Sequence, residues 1–252
     1  MQLLCLAHAG AGPSVFRGWA QAAPAGLQIT PLSLPGREGR FAEPSAREVD
    51  ALVQDLTKQL PAEPDEDFAL LGHSMGALLA FELTRALRRL ERPGPRHLFV
   101  SAFRAPQLPD RRPPLHGMPD LLLKAELQRL QGTPAEVLAQ GELMQTLLPS
   151  LRADLGLVER YRHCAGPALS IPITCLAGVT DARVSRLELS AWRQQTKADF
   201  RLRLFPGAHF YLYRTPALVL RAVAADLAAA GPLPMPGPVP AGRDTTQALR
   251  SA

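Results

Sequence analysis

Cysteine is scarce: the 252 residues hold three, Cys5, Cys164 and Cys175. Three thiols cannot all pair, and Cys5 and Cys175 lie inside apolar runs. A disulfide framework is therefore excluded, and buried free thiols in a reducing compartment are expected. No His or Cys spacing suits a metal ion, and no cofactor motif is present, so neither is expected. Long apolar runs are also missing. The best stretch, 216–230, is broken by Arg221 and Asp226, which excludes a membrane span there. The opening MQLLCLAHAGAG has no basic lead and too short an apolar run for a signal peptide, so the cytoplasm is the expected location. Lysine is nearly absent: three of the 28 basic residues are lysines and the rest are arginines. No internal repeat is visible.

What is present is a globular composition, 46% apolar and 20% charged, in a length that fits one α/β domain or two small ones. The net charge of +5 leaves nucleic acid, a membrane surface or an acidic protein as partner, to be decided by where the charge lies. Prolines cluster in 106–119 and in 232–240, which excludes regular helix or central strand in both places.

Elsewhere strands and helices alternate. QLLCL (2–6), LQITPL (27–32), DFALLG (67–72), RHLFVSA (96–102), IPITCLAG (171–178) and DFRLRLFPG (199–207) read as strands. Ser45 and Glu48 form a capping box for a helix over 45–60 whose Val49, Leu52, Val53, Leu56 and Leu60 share a face. Helices are also expected over 75–90, 120–131, 134–164 (box at Thr133, Pro134 and Glu136), 186–195 (box at Ser185 and Glu188) and 215–230. The alternation implies a mostly parallel central sheet with helices on both faces. Residues 1–103 and 165–230 form that core, 104–164 a helical lid insertion, and 231–252 a Pro-rich, disordered tail.

In open α/β sheets functional groups collect at the carboxyl ends of the strands. After strand 67–72 comes Gly72-His73-Ser74-Met75-Gly76, a G-x-S-x-G between an apolar strand and an amphipathic helix. The chain must turn within a couple of residues, which leaves no room for side chains at the two glycines and puts the Ser74 hydroxyl at the tip. A serine nucleophile needs a base. His209 follows the last strand at the same edge. His8 and His73 flank loops there and suit structural hydrogen bonds, His97 opens a strand at the other edge, and His116 and His163 lie in or beside the insertion. Asp181 follows strand 171–178 and suits the role of carboxylate partner; Asp199 starts a strand at the wrong edge, and Asp154 is in the insertion. The chain order Ser74, Asp181, His209 is that of α/β-hydrolases. The Met75 amide supplies one oxyanion donor, and the small-residue loop 8–12 offers a second at Ala9.

The segments AHAGAGPSVFRGWA, LPGRE, GHSMGALLAFEL, HLFVSAFRAP, GTPAEVL, ELMQTLLPSLRADLGLVERYR, GxxDxxVS and FPGAHFYL, in that order over nearly all of 2–215, resemble the type II thioesterases that accompany polyketide and nonribosomal peptide synthases. The resemblance implies an α/β-hydrolase core with a helical lid. It implies hydrolysis of aberrant or stalled acyl groups from the phosphopantetheine arm of acyl or peptidyl carrier proteins. It assigns Ser74 as nucleophile, Asp181 as acid partner, His209 as base, and the Ala9 and Met75 amides as oxyanion hole. The sequence departs from the family in starting almost at the first strand, so that an edge element is missing or the start is misplaced. Ala11 also stands where a glycine is common, and the tail 231–252 has no counterpart.

Charge distribution argues against nucleic acid. Residues 85–112 hold eight arginines against Glu91 and Asp110. The helix 75–90 runs away from the catalytic edge, so Arg85, Arg88, Arg89, Arg92 and Arg96 lie toward the far edge and complement a helix C-terminus. Arg37, Arg40, Arg104, Arg111, Arg112 and Arg183 lie instead near the catalytic edge and are the candidates for docking an acidic carrier and its phosphate. The insertion leucines (Leu121, Leu122, Leu123, Leu127, Leu130, Leu138, Leu143, Leu147, Leu148 and Leu151) pack together or line an acyl channel, with the division left open. Rival readings are a general carboxylesterase or lipase, a product-releasing thioesterase, and a non-catalytic hydrolase-fold binding protein.

Overall fold

The computed structural model describes residues 1–61, 67–130 and 140–230. Six strands, β1 (Gln2–Leu6), β2 (Gln28–Pro31), β3 (Phe68–His73), β4 (Leu98–Ser101), β5 (Ile173–Gly178) and β6 (Phe200–Phe205), form one sheet in the order β2-β1-β3-β4-β5-β6. Every neighbouring pair is parallel. The register pairs Leu6 with Gly72, His73 with Ser101 and Gly178 with Phe205, so the carboxyl ends of five strands finish along one edge.

β3, β4 and β5 are buried throughout, because helices cover both faces and no strand face meets water. The period of two is visible in the core itself. Leu4, Leu6 and Leu70 point to one face, packed under α2 (Val49–Gln59) and α3 (Met75–Arg89) with Leu52, Leu56, Leu78, Phe81 and Trp192. Leu3, Cys5, Ala69 and Leu71 point to the other, under α1 (Trp19–Ala22) and the final helix, with Trp19, Val219, Leu220 and Val223. The fold is that of an α/β-hydrolase, as the alternation of elements implied.

Between β4 and β5 the chain leaves the sheet to form α4 (Asp120–Leu130) and α5 (Gly141–Arg160). These build a small cluster of their own from Leu115, Leu123, Met144 and Leu148. After β5 come α6 (Arg186–Ser190) and a 3-10 turn (Ala191–Gln195); after β6 come α7 (Tyr211–Arg214) and α8 (Pro216–Ala229). Among the described residues no helix is long and apolar enough to cross a membrane.

Several local expectations need correction. The Ser185–Glu188 box caps α6 as read, but the one at Ser45 and Glu48 does not form: α2 begins at Val49 without a side-chain cap. Ser45 is used elsewhere, packed so tightly on the 33–37 turn that a Cβ at Gly36 would meet its Oγ at 2.3 Å. The helix expected to run to 164 stops at Arg160, because Tyr161 turns into extended backbone and its hydroxyl donates to Glu82 of α3 at 2.7 Å. The box at Thr133, Pro134 and Glu136, Leu138 and the tail 231–252 lie outside the described residues.

Arg92 does complement a helix C-terminus, but that of α2 rather than its own. It donates to the carbonyls of Thr57, Leu60 and Pro61 at 2.6 to 2.9 Å. Arg85 is buried against Glu82 and the Cys164 carbonyl. Helix packing and capping thus absorb part of the basic run after α3.

Candidate active site

The site is built on the turn between β3 and α3. A Cβ on Gly72 would lie 2.0 Å from the Gly76 carbonyl oxygen, and one on Gly76 would lie 2.2 Å from the Leu6 carbonyl oxygen. Only two glycines let strand, turn and neighbouring strand close to that distance. The cost appears at Ser74, whose φ of 54° and ψ of −118° are rare for a residue with a side chain. Such a conformation is held at a cost of about 1–3 kcal/mol and persists because its surroundings fix it. Here the Ser74 N–H donates to the Ser101 carbonyl at 2.8 Å, and the Ala77 N–H donates to the Ser74 carbonyl at 3.0 Å.

His209 and Asp181 come from the loops after β6 and β5. A Cβ on Gly178 would meet the carbonyl oxygens of Gly207 and Ala208 at 2.3 Å, so these loops touch backbone to backbone. The contact is reinforced by Thr180 N–H donating to the Gly207 carbonyl at 3.0 Å. It brings His209 Nδ1 to 2.9 Å from Asp181 Oδ2. The other carboxylate oxygen accepts from the Arg183 amide at 2.8 Å, and the Asp181 side chain is 1% exposed. A carboxylate can only accept, so Nδ1 carries the proton and Nε2 is left free to take one.

His8 and His73 have the structural roles the sequence assigned them. His8 Nδ1 meets the Tyr213 hydroxyl at 2.9 Å; His73 Nδ1 meets Ser101 Oγ at 3.0 Å, which in turn meets the Tyr211 hydroxyl at 2.8 Å. The His73 ring lies 5.1 Å from that of His209. Burial, then the charges of His209 and Arg37, push His8 down to about 3; burial and its histidine neighbours push His73 well below the usual range. Both rings therefore stay neutral. His97, at the far edge, is lowered to about 4, mainly by burial.

Three depressed imidazoles have a consequence for stability. Unfolded, each takes a proton near 6.5; folded, each resists until much lower pH. Unfolding therefore takes up protons below about pH 6.5, and the contribution of the neutral rings is complete above that value and lost as pH falls toward 4. The melting temperature at about pH 5 should lie clearly below that at about pH 7.5, and the unfolding free energy should rise with pH in proportion to the protons taken up on unfolding. A melting temperature flat over that interval would contradict the burial of these rings.

The Ala9 and Met75 amides border the same cavity as Ser74 and His209. Among the described residues neither amide donates a hydrogen bond, which leaves both N–H groups available. Two residues hold the loop that carries Ala9: Glu38, which reading the sequence did not single out, and Asp154, which it set aside as part of the insertion. Glu38, at φ 46°, accepts from the amide and hydroxyl of Ser14. Asp154 of α5 accepts from the Gly10 amide at 2.7 Å. The available signal was LPGRE itself, two opposite charges on a tight turn with no helix to explain them.

The arginines are divided by burial. Arg37 is 4% exposed and meets both Asp154 oxygens, at 2.7 and 2.9 Å. Arg104 is 6% exposed, lies 5.1 Å over the Phe103 ring and donates to the Leu108 carbonyl. Both guanidiniums are buried, so neither is the exposed charge expected of a residue that docks a carrier. Arg40 is shared between Glu43 and Asp55, and Arg112 grips Asp110 through two nitrogens while donating to the Arg183 carbonyl. Arg183 lies 3.5 Å from Glu126 of α4, and Arg111 is exposed.

An apolar chamber of about 410 Å³ opens from Ser74 and His209. Leu115, Leu127, Leu130, Met144, Leu147 and Leu151 line it. The division of the insertion leucines left open by the sequence is thereby resolved: Leu123 and Leu148 pack inward, while Leu121 and Leu122 face solvent. Among the described residues no group of three or more His, Cys, Asp or Glu side chains could hold a metal ion.

A parallel sheet with a serine on a strained turn after β3, and a histidine–carboxylate pair on two later loops at the same edge, is the arrangement of an α/β-hydrolase. Within that class the chain matches the thioesterase domain family over residues 1–227, and it belongs to that family. It is 39% identical over 215 residues to the gramicidin S biosynthesis protein GrsT of Aneurinibacillus migulanus, covering 85% of this chain and 84% of that one. Among solved structures, the type II thioesterase BorB from the borrelidin biosynthetic cluster is 37% identical with a TM-score of 0.81, over 90% of this chain and 92% of that one. The RedJ thioesterase from the prodiginine pathway of Streptomyces coelicolor is 34% identical with a TM-score of 0.82, over 89% and 85%.

Proposed function

We propose that this protein is a type II, editing thioesterase. It hydrolyses aberrant or stalled acyl groups from the phosphopantetheine arm of carrier proteins in polyketide or nonribosomal peptide synthesis. The observation that carries the reading is that Ser74 and the Asp181-bound His209 line one apolar chamber, in a chain of the thioesterase family. Its similarity to proteins of gramicidin S and borrelidin biosynthesis supports the pathway.

In this mechanism Ser74 Oγ attacks the thioester carbonyl and His209 Nε2 takes its proton. The carbonyl oxygen becomes an oxyanion that accepts from the Ala9 and Met75 amides. The C–S bond breaks, and the pantetheine sulfur leaves with the proton from His209. Water, deprotonated by His209, then releases the carboxylic acid from Ser74. Asp181 keeps the imidazole in the tautomer this requires. The α4–α5 insertion acts as a lid over the acyl group, and its leucine-lined chamber takes the chain. Arg111, with Arg40, Arg112 and Arg183 near the same edge, meets the acidic carrier and the phosphate of its arm.

The test is a panel of carrier-bound acyl groups of increasing length, against the same acyl groups on coenzyme A and as simple oxygen esters. Carrier-bound thioesters should have the highest kcat/KM, with a cut-off in chain length set by the chamber. Arg111→Glu should lower kcat/KM several-fold for carrier-bound substrate and much less for a short free thioester. Preference for oxygen esters would point to a carboxylesterase, and equal effects of Arg111→Glu on both thioesters would remove docking from that residue.

A further inference from the structure

Asp154 belongs to the helical insertion, yet its side chain is 1% exposed and reaches into the sheet edge. Its Oδ2 accepts from the Gly10 amide at 2.7 Å and from Arg37 Nη1 at 2.7 Å, and its Oδ1 accepts from Arg37 Nη2 at 2.9 Å. Arg37 is itself held by the carbonyls of Pro35 and Ala11. One turn earlier on α5, Leu151 presses on Gly10 so closely that a Cβ there would meet its Cδ1 at 3.0 Å. Gly10 sits at φ +77°, and its neighbour is Ala9.

Peptide planarity turns these contacts into a constraint on one N–H. The Ala9 N–H shares a rigid plane with the His8 carbonyl, and the Gly10 N–H shares the next plane with the Ala9 carbonyl. The first plane is held where the Ala11 amide donates to the His8 carbonyl at 3.1 Å. The second is held by Asp154. With both planes flanking the Ala9 Cα fixed, the direction of the Ala9 N–H is fixed too.

We propose that Asp154 is a positioning residue for oxyanion stabilisation: a carboxylate on the helical insertion, charge-balanced by Arg37, aims the Ala9 amide by holding the peptide that follows it. The proposal rests on the reading that the Ala9 amide receives the oxyanion. It makes the insertion part of the catalytic geometry as well as a cover for the substrate. The helix α5 cannot lift from the sheet edge without breaking a buried ion pair and releasing the loop.

The experiment compares wild type, Asp154→Leu and the double variant Arg37→Met/Asp154→Leu. The probes are an acyl thioester substrate and a trifluoromethyl ketone thioether analogue. The analogue adds Ser74 Oγ to its ketone carbon, passes the serine proton to His209 and leaves a stable oxyanion. Asp154→Leu, which leaves the Gly10 amide without its acceptor, should lose about tenfold to a hundredfold in kcat/KM with KM little changed, since the loss is felt where the oxyanion forms. Its inhibition constant for the ketone should rise by a similar factor. The double variant replaces a buried ion pair by apolar side chains, which restores thermal stability but leaves the Gly10 amide without its acceptor. Its melting temperature should therefore recover while kcat/KM and ketone affinity do not.

Recovery of kcat/KM together with the melting temperature would overturn the proposal, as would a fall in kcat/KM with ketone affinity unchanged. A wild-type enzyme that binds the trifluoromethyl ketone no tighter than the matching methyl ketone would instead overturn the oxyanion reading on which it rests.

Discussion

Ser74→Ala should lower kcat on a carrier-bound acyl thioester by about 10⁴-fold or more if the proposed mechanism holds, because members of a catalytic triad act as a unit. The loss is chemical rather than structural. Everything that holds the turn is backbone: the Ser74 amide on the Ser101 carbonyl, the Ala77 amide on the Ser74 carbonyl, and the contacts of Gly72 and Gly76. No side-chain cap involves the serine hydroxyl. The alanine inherits the same strained φ and ψ, so the melting temperature should stay close to that of wild type. Adding His209→Ala to Ser74→Ala should cost little more, because a base without a nucleophile has nothing to do. Labelling by a serine-reactive fluorophosphonate should disappear with the hydroxyl. Unchanged turnover in Ser74→Ala would end this mechanism.

Asp181→Asn should be almost as damaging, at about 10⁴-fold in kcat near neutral pH, although it changes a single atom. The Arg183 amide donates to Asp181 Oδ1 at 2.8 Å. In the asparagine that position must be kept by the carbonyl oxygen, since an amide nitrogen cannot accept. The NH2 group is then turned toward His209 Nδ1, which becomes the acceptor and moves the imidazole proton to Nε2. The base arrives already protonated on the side where it must take a proton. The buried contacts of both loops survive, so the melting temperature should move little. Asp199→Asn is the control: its side chain is 81% exposed at the opposite edge, and its removal should leave kcat unchanged. Activity within about tenfold of wild type in Asp181→Asn would show that the pair seen here does not orient the base.

Much of the architecture was legible because the signals were local. Alternating apolar runs and amphipathic stretches place all six strands and the longer helices, though not the short α1 and α7, and the small residues around Ser74 mark the turn before any packing is known. The misreadings are also local in origin. The box at Ser45 and Glu48 has the right letters, but Ser45 was claimed by the turn at Gly36, a contact no window of neighbouring residues contains. Arg37 and Arg104 looked like surface charge because arginine usually is. Arg37's carboxylate partner, Asp154, becomes visible only when the insertion folds back on the sheet edge, and Asp110 reaches Arg104 only through the path of the Pro-rich loop.

By itself the sequence determined the order of elements, the edge of the sheet at which chemistry would collect, and the identity of the serine, histidine and aspartate to be found there. These follow from the direction of a parallel sheet, which puts every strand's carboxyl end on one side whatever the side chains do. Only the tertiary structure decided which leucines line the chamber, which arginines are free to meet a partner, and that an acid from the insertion holds the loop beside Ser74. The hold on the loop depends on contacts between segments more than a hundred residues apart, and the chamber lining on which face of a helix turns inward. Burial and distance settle them, and neither is written in the spacing of letters along the chain.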